Sequence, residues 1–297
     1  MPNASPTVPS DLVDLVAHGR VLALTGAGIS TDSGIPDYRR PDGRARHADP
    51  MTYERFLRGD DERRRYWARS HLGWPRVAAA RPNGAHHALV ELERAGLLAG
   101  LVTQNVDGLH RAAGSRDVIE LHGRLDTVVC LGCDTRRPRV EVGLRLDAVN
   151  PGFRARWTTD PTTVRPDGDV RLAEDAVCSF RTVTCRTCDG VLKPDVVFFG
   201  EHVPRGRFRA ALGRLETAAS LLVLGSSLMV GSGYRMVTAA RRRGLPVAVV
   251  TRGVTRADHL VDLRVDASLT PLLRSLAAEV APRVPQGDAD GSAPTAT

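Results

Sequence analysis

The sequence predicts an α/β fold: a parallel sheet with helices on both faces, interrupted by two insertions. Three observations carry that prediction. Short apolar runs alternate with helical patterns along most of the 297 residues. The first apolar run ends in the glycine turn Gly26-Ala27-Gly28, a strand-to-helix connection whose backbone can approach a phosphate. Two Cys-x-x-Cys pairs, Cys130/Cys133 and Cys185/Cys188, stand in a stretch where the alternation stops. Hydrophobic residues make up 42%, ample for a core, and aromatic residues only 4%, so the core is expected to be aliphatic.

Taken in order, residues 1–9 carry Pro and Ser and are expected to be loose. A short amphipathic helix follows at 10–18, with Ser10 as its predicted cap. "RVLALT" (20–25) reads as a buried strand. Further strands are expected at 100–105, 118–123, 196–200, 220–227, 246–251 and 262–267, and helices at 84–96, 205–219, 231–243 and 269–280. Residues 52–80 are helical and polar-aromatic without a strand. Residues 127–192 hold both Cys pairs and a spacer, 134–184, rich in Pro, Gly and Asp. The predicted division is therefore a Rossmann-like nucleotide-binding domain from 10–51, 81–126 and 193–280, with a smaller helical and zinc-binding domain from 52–80 and 127–192. The tail 281–297 has the composition of a disordered segment.

The net charge is +7, carried almost wholly by arginine, Lys193 being the only lysine. No basic repeat or interleaving of basic and aromatic residues marks a nucleic-acid face. No apolar run reaches the length of about eighteen residues that a membrane helix needs. The N-terminal stretch, with Asp11 and Asp14, reads as neither a secretory signal nor a transit peptide, so a cytoplasmic protein is expected. In that compartment two Cys-x-x-Cys knuckles read as a closed, tetrahedral zinc site rather than as disulfides. Cys178 has no partner at ligand spacing and reads as a small apolar filler.

The glycine turn alone is a weak signal, because the third glycine of a dinucleotide fingerprint is missing. Its continuation is more specific. "GAGISTDSGIPDYR", "TQNVDGLH" (103–110), "LHG" (121–123), the two Cys pairs, "KPDVVFFGE" (193–201) and "GSSL" (225–228) occur in that order. Together they resemble the sirtuins, NAD-dependent protein deacylases, over roughly residues 10–280. The resemblance implies NAD as cofactor, an acyl-lysine protein or peptide as substrate, and nicotinamide, O-acyl-ADP-ribose and free lysine as products.

It also implies roles. Gly26, Ala27, Gly28 and Ile29 would face the NAD phosphates and ribose, and Asp37 and Arg39 the nicotinamide end. Tyr38 would cover the reacting sugar and keep water out. Gln104, Asn105 and Asp107 lie at the carboxyl end of a strand, where ligands bind in open α/β sheets. Gln104 would meet ribose hydroxyls, and Asn105 and Asp107 the nicotinamide carboxamide. His122 matches the general base, a task suited to a group that titrates near neutrality. His110, its nearest rival, reads as structural. Gly225, Ser226 and Ser227 would cradle the adenosine side. Thr251 stands where sirtuins usually carry an Asn toward the adenosine ribose, a departure that shortens the reach of that contact. Val196, Val197 and Phe198 would flank the acyl-lysine channel, and Gly200 and Glu201 the peptide, paired as an added strand.

"RRRYWARSHLGWPR" (63–76) and the long spacer between the Cys pairs are most similar to the mitochondrial-type class II branch. Tyr66 and Arg69 stand three apart and share a helix face. The related desuccinylase branch uses such a pair to read an acyl carboxylate, which makes Tyr66 and Arg69 candidate acyl contacts. Two other activities fit the same motifs: mono-ADP-ribosyl transfer at the same site, and a non-catalytic NAD-sensing role. Intact His122, Asn105 and Asp107 count against the last.

Overall fold

In the computed structural model, which describes residues 7–46, 50–158 and 164–281, the chain enters through helix α1 (Ser10–Ala17). That helix buries Leu12, Val13 and Val16. The predicted cap at Ser10 is not formed. Pro9 precedes the helix, its carbonyl accepts from the amides of Leu12 and Val13, and Ser10 lies inside the first turn with its hydroxyl toward Asp11. The proposed disordered tail lies almost entirely outside the described residues, as do residues 1–6.

Strand β1 (Val21–Thr25) is buried throughout and runs into a 3₁₀ helix at Ala27–Ser33. Helices α2 (Tyr53–Arg58), α3 (Asp60–Ala79) and α4 (Gly84–Arg94) follow. The start of α4 is fixed by a capping box: the Asn83 side chain accepts from Ala85, and His86 accepts from the Asn83 amide. Strand β2 (Leu98–Thr103), helix α5 (Leu109–Ala113) and strand β3 (Val118–Glu120) complete the first half of the sheet.

The chain then leaves the sheet. Strand β4 (Gly123–Cys130), strand β5 (Arg136–Pro138) and helices α6 (Arg139–Val149), α7 (Phe153–Arg156) and α8 (Glu174–Ser179) occupy the insertion, which closes with β6 (Leu192–Val196). Helix α9 (Arg205–Thr217), strand β7 (Ser220–Leu224), helix α10 (Gly231–Arg242), strands β8 (Val247–Val250) and β9 (Leu263–Val265), and helix α11 (Leu269–Val280) return to the sheet.

The large sheet has six parallel strands in the order β3-β2-β1-β7-β8-β9. One face packs on α1, α4 and α11 through Leu12, Leu89, Leu273 and Leu276. The other packs on α9 and α10 through Phe208, Leu215, Met236 and Val237. Burial on both faces is why its strands read as unbroken apolar runs. Strand order reverses between β1 and β7, and a crevice opens beyond the carboxyl ends of strands at such a switch point.

Six of the seven predicted strands belong to this sheet. The seventh, 196–200, does not. Its strand lies earlier, at β6, in a small antiparallel sheet of order β5-β4-β6. Pro194 sits inside β6, opposite Val128, and is tolerated there because β6 is an edge strand. The expectation of an aliphatic core also needs correction. It holds for the sheet, but the few aromatics gather in a second core, where Phe56, Tyr66, Trp67, Phe153, Phe180 and Phe198 are buried together. That core joins residues of 52–80 to residues of 127–192. Among the described residues, no helix is long and apolar enough to cross a membrane.

Candidate active site

A cavity of about 1910 Å³ lies at the switch point and runs between the large sheet and the second core. It exceeds the roughly 300–1,000 Å³ that suits one small molecule, so it has room for a dinucleotide and a second reactant.

The glycine turn forms its base. The Gly28 amide donates to the Gly225 carbonyl at 2.8 Å, and a Cβ at Gly28 would lie 2.9 Å from the Gly225 Cα. Gly225 itself has φ +63. The two loops therefore meet backbone to backbone, which leaves no room for side chains and brings the turn under the cavity. Gly26, Ala27 and Gly28 line it, as do Gly225, Ser226, Ser227 and Thr251. Ile29 does not. Its side chain is buried in the sheet core, and its amide donates to the Gly26 carbonyl. The 3₁₀ winding of Ala27–Ser33 turns position 29 inward.

Gln104, Asn105 and Asp107 follow β2 and face the same space. Their side chains are held in a chain of hydrogen bonds. Ser226 donates to the Gln104 Oε1 at 2.6 Å. Asn105 donates to the Gly26 carbonyl and to Ser30 Oγ, both at 3.1 Å, and Ser30 donates to Asp107 at 2.7 Å. Burial pushes the Asp107 carboxyl above its ordinary range, against the opposing bonds from the Leu109 amide and Ser30. Ser30 is thus the hub of the group. It lies inside the turn motif, but nothing local marks it apart from its neighbours.

Asp37, Tyr38 and Arg39 form the outer wall. Asp37 pairs with Arg46, Arg39 donates to the Gly43 carbonyl at 2.9 Å, and the Tyr38 ring meets Phe199 edge-on with centroids 6.0 Å apart. Burial raises the Tyr38 phenol well above its usual value, so it stays neutral.

His122 sits on the seam between the two sheets. The Leu121 amide donates to Thr103, while the His122 carbonyl accepts from Val197 at 2.8 Å. The next residue, Gly123, has φ +82, and a Cβ there would lie 1.9 Å from the Asp195 carbonyl oxygen. Only glycine fits that corner, which explains "LHG". On the ring, Nδ1 lies 2.8 Å from the Gln104 carbonyl and Nε2 lies 2.7 Å from Ser232 Oγ. A carbonyl only accepts, so neutral His122 carries its proton on Nδ1 and presents an Nε2 lone pair at the cavity. Burial is the main force lowering its pKa to about 4, opposed by the Gln104 bond. His110 is fully enclosed, with Nε2 at 2.9 Å from Thr25 Oγ1, and does not line the cavity.

Val196, Val197, Phe198, Gly200 and Glu201 form the wall opposite the glycine turn. Lys193, itself buried, braces them: its Nζ lies 3.1 Å from Glu201 and donates to the carbonyls of Pro194 and Val196. Glu201 in turn accepts from the Phe198 amide at 2.8 Å.

Tyr66 and Arg69 part company. Tyr66 lines the cavity beside Met51, with its ring 5.1 Å from that of Phe198. Arg69 does not line it. Its guanidinium donates to Asp169 at 2.5 Å and to the Val170 carbonyl at 2.6 Å. Three residues along a helix leave a rotation of about 60°, and here that is enough to turn Arg69 to a different neighbour. Arg165 and Asp167 face the cavity instead, on the tight turn Arg165–Gly168. A Pro-Asp-Gly run announces such a turn, but nothing in the sequence says where it docks. Burial pushes the carboxyls of both Asp167 and Asp169 up, Asp169 to about 7.

The four paired cysteines gather in one cluster, their sulfurs all within 4.8 Å of one another. Cys130 and Cys188 are 3.5 Å apart, and Cys133 and Cys185 3.8 Å. Tetrahedral zinc with Zn–S bonds of about 2.3 Å sets sulfurs about 3.8 Å apart, so the donors fit that ion. The amides of Gly132 and Thr187 donate to the sulfurs of Cys130 and Cys185, as suits thiolates. Cys178 stands outside the cluster and is exposed rather than buried, which corrects its reading as a filler.

A profile of the Sir2 family matches residues 26–232. An NAD-dependent protein deacetylase of Xanthomonas campestris pv. campestris is 52% identical over 259 residues, 87% of each chain. NAD-dependent protein deacetylase 1 of Streptomyces coelicolor is 50% identical over 278 residues, 94% of this chain and 91% of its own. Among solved structures, a Sir2 protein with a p53 peptide and NAD+ aligns with TM-score 0.71 at 29% identity, over 91% of this chain and 97% of that one. A Sir2 protein bound to an acetylated peptide aligns with TM-score 0.69 at 28% identity and the same coverage.

Proposed function

The chain belongs to the Sir2 family, and from that premise we propose that it is an NAD-dependent protein-lysine deacylase. One observation carries the reading: the Nε2 lone pair of His122 faces a cavity that also holds the glycine turn and the Asn105–Ser30–Asp107 group.

Bound NAD supplies a ribosyl centre that becomes electrophilic as nicotinamide departs. The residues of the chain have separate tasks. The Gly26–Gly28 turn and the Gly225–Ser227 loop hold the phosphates and adenosine side. Asn105 and Asp107 receive the nicotinamide carboxamide. Tyr38 and Phe199 cover the centre against water. His122 accepts a ribose hydroxyl proton on Nε2, in the place Ser232 Oγ now occupies. Its Nδ1–H stays on Gln104, which keeps the ring in one orientation. The acyl-lysine lies along 196–201, and Tyr66, Met51, Arg165 and Asp167 surround the acyl end.

The sequence of 63–76 and the long inter-cysteine spacer support placement in the mitochondrial-type class II branch. The second core, shared by 52–80 and 127–192, supports the predicted domain division. Limited proteolysis that cuts within either core before cutting between them would refute that division. A cytoplasmic location is part of the proposal, and cell fractionation tests it.

The deciding experiment incubates the protein with NAD and an acetyl-lysine peptide and follows products by mass spectrometry. Free lysine peptide, nicotinamide and O-acetyl-ADP-ribose are expected in equal amounts. NAD cleavage with the peptide still acylated, or ADP-ribose attached to protein, would overturn the proposal.

A further inference from the structure

We infer that the enzyme favours acyl-lysines flanked by acidic side chains, and that Arg205, Arg209 and Arg235 set this preference. The inference rests on the proposed entry of the peptide along 196–201. Just beyond that wall the chain turns into α9, where Arg205 and Arg209 stand at i and i+4 on one face. Arg235 of α10 reaches across to α9, its guanidinium 4.2 Å from the centre of the Phe208 ring. All three line the cavity, and all three are solvent-exposed.

Their pairing state sets them apart. Arg207 and Arg214, on the same helix, are matched by Asp195 and Asp117. Among the described residues, no carboxylate lies within ion-pair distance of Arg205, Arg209 or Arg235. The carboxylate of the 196–201 wall, Glu201, is already committed to Lys193 and the Phe198 amide. The rim is therefore a cluster of unneutralised positive charge on the path of the peptide. Acylation removes the charge of the target lysine, so the peptide's charge near the rim comes from its flanks. Glu and Asp there are attracted, and Lys and Arg repelled.

The test uses three acetyl-lysine peptides that differ only in residues two to four positions from the acetyl-lysine: all Glu, all Ala, or all Lys. At saturating NAD, kcat/KM should fall in the order Glu, Ala, Lys, with roughly five- to tenfold between the extremes, as expected when two or three exposed ion pairs act together. The spread should lie in KM. It should shrink as salt rises and the screening length falls from about 8 Å at physiological ionic strength to about 3 Å at 1 M. In the Arg205→Glu/Arg209→Glu double variant the order should reverse. Equal turnover of the three peptides, or the same order in the double variant, overturns this inference and leaves the deacylase reading intact. No product from any of the three overturns the deacylase reading itself.

Discussion

The two cores differ in the buried polar groups they admit. Under the parallel sheet those groups are neutral: Thr25, Ser30, His86, Thr103, Asn105 and His110 are enclosed and bonded mainly to one another or to backbone. In the second core neutral groups such as Ser70, His71 and Asn150 are joined by buried cationic side chains. Arg139 is buried against Trp67 and Trp74 and donates to Ser70, Arg165 and Arg69 converge on Asp169, and Lys193 braces Glu201. A sheet fills itself from an apolar pattern, and its neutral polar groups end at the ligand cavity. The second core lacks a sheet of that size, and fixes its shape with charges and four sulfurs. Such charges stabilise little in net terms, but breaking one partner away is costly.

The sharpest way to separate the two halves is to remove the metal. Chelation, or Cys130→Ser or Cys185→Ser, should remove about 10 kcal/mol or more of metal-linked folding free energy from the second core. All three tryptophans, Trp67, Trp74 and Trp157, pack in that core, so tryptophan fluorescence reports it selectively. We expect that signal to collapse with zinc content while calorimetry still detects NAD. Loss of both together would show that the halves are not separable.

His122→Ala acts on the seam itself. Deacylation should drop about a hundred- to ten-thousandfold, the usual contribution of a general base. NAD affinity should stay close to wild type, because the ring contributes a proton acceptor rather than a binding surface. Activity within threefold of wild type would remove His122 from the role.

Acid should strike the sheet half harder. Burial lowers the pKa of His86 and His122 to about 4 and that of His110 well below its ordinary value. The unfolded chain takes up those protons first, near pH 6.5, so it binds more protons than the folded form between pH 6.5 and about 4. Stability is complete above pH 6.5 and falls as pH drops through that window, by about 3 kcal/mol for each of His86 and His122. In the second core His71, lowered to about 4, pulls the same way, and Asp169, raised to about 7, pulls against it more strongly than the raised carboxyl of the single Asp107 opposes three histidines in the sheet half. Hydrogen exchange of β1 and β2 should therefore accelerate before tryptophan fluorescence changes; the reverse order would contradict the charge assignment.

Arg69→Met makes the smallest change. It leaves Asp169 with Arg165 as its partner, and Asp169 already inclines to the protonated form, so the cost should be about 1–3 kcal/mol in thermal or denaturant unfolding. The ratio of succinyl- to acetyl-lysine turnover should not move, since Arg69 is turned away from the cavity. A selective loss of succinyl turnover would restore it as an acyl contact.

The same contrast explains what could be read from the chain. Gly26–Gly28, "TQNVD" and "LHG" announce themselves because each meets its constraint within a few residues: a backbone contact, a strand end, a corner only glycine turns. The cysteine cluster was legible for a similar reason, two knuckles of fixed spacing. Arg69 turns from the cavity to Asp169, a partner a hundred positions away to which nothing local points. Ile29 shares a motif with cavity residues but follows the 3₁₀ winding inward. The strand expected at 196–200 lies instead at Leu192–Val196, because Pro194 is tolerated on the edge of a sheet not visible as a pattern.

Lys193 has a consequence for how this protein meets acyl donors. It is the one lysine in the chain, and it is sealed beneath the wall proposed to receive the substrate. Every other basic side chain that could face solvent is an arginine or a histidine. Reactive thioesters and anhydrides, which decorate surface amines indiscriminately, find no side-chain amine on the surface to attack. An enzyme that erases acyl marks thus carries a surface on which such marks cannot be written, and amine-directed dyes or crosslinkers should label its side chains only after the wall at 193–201 has come apart.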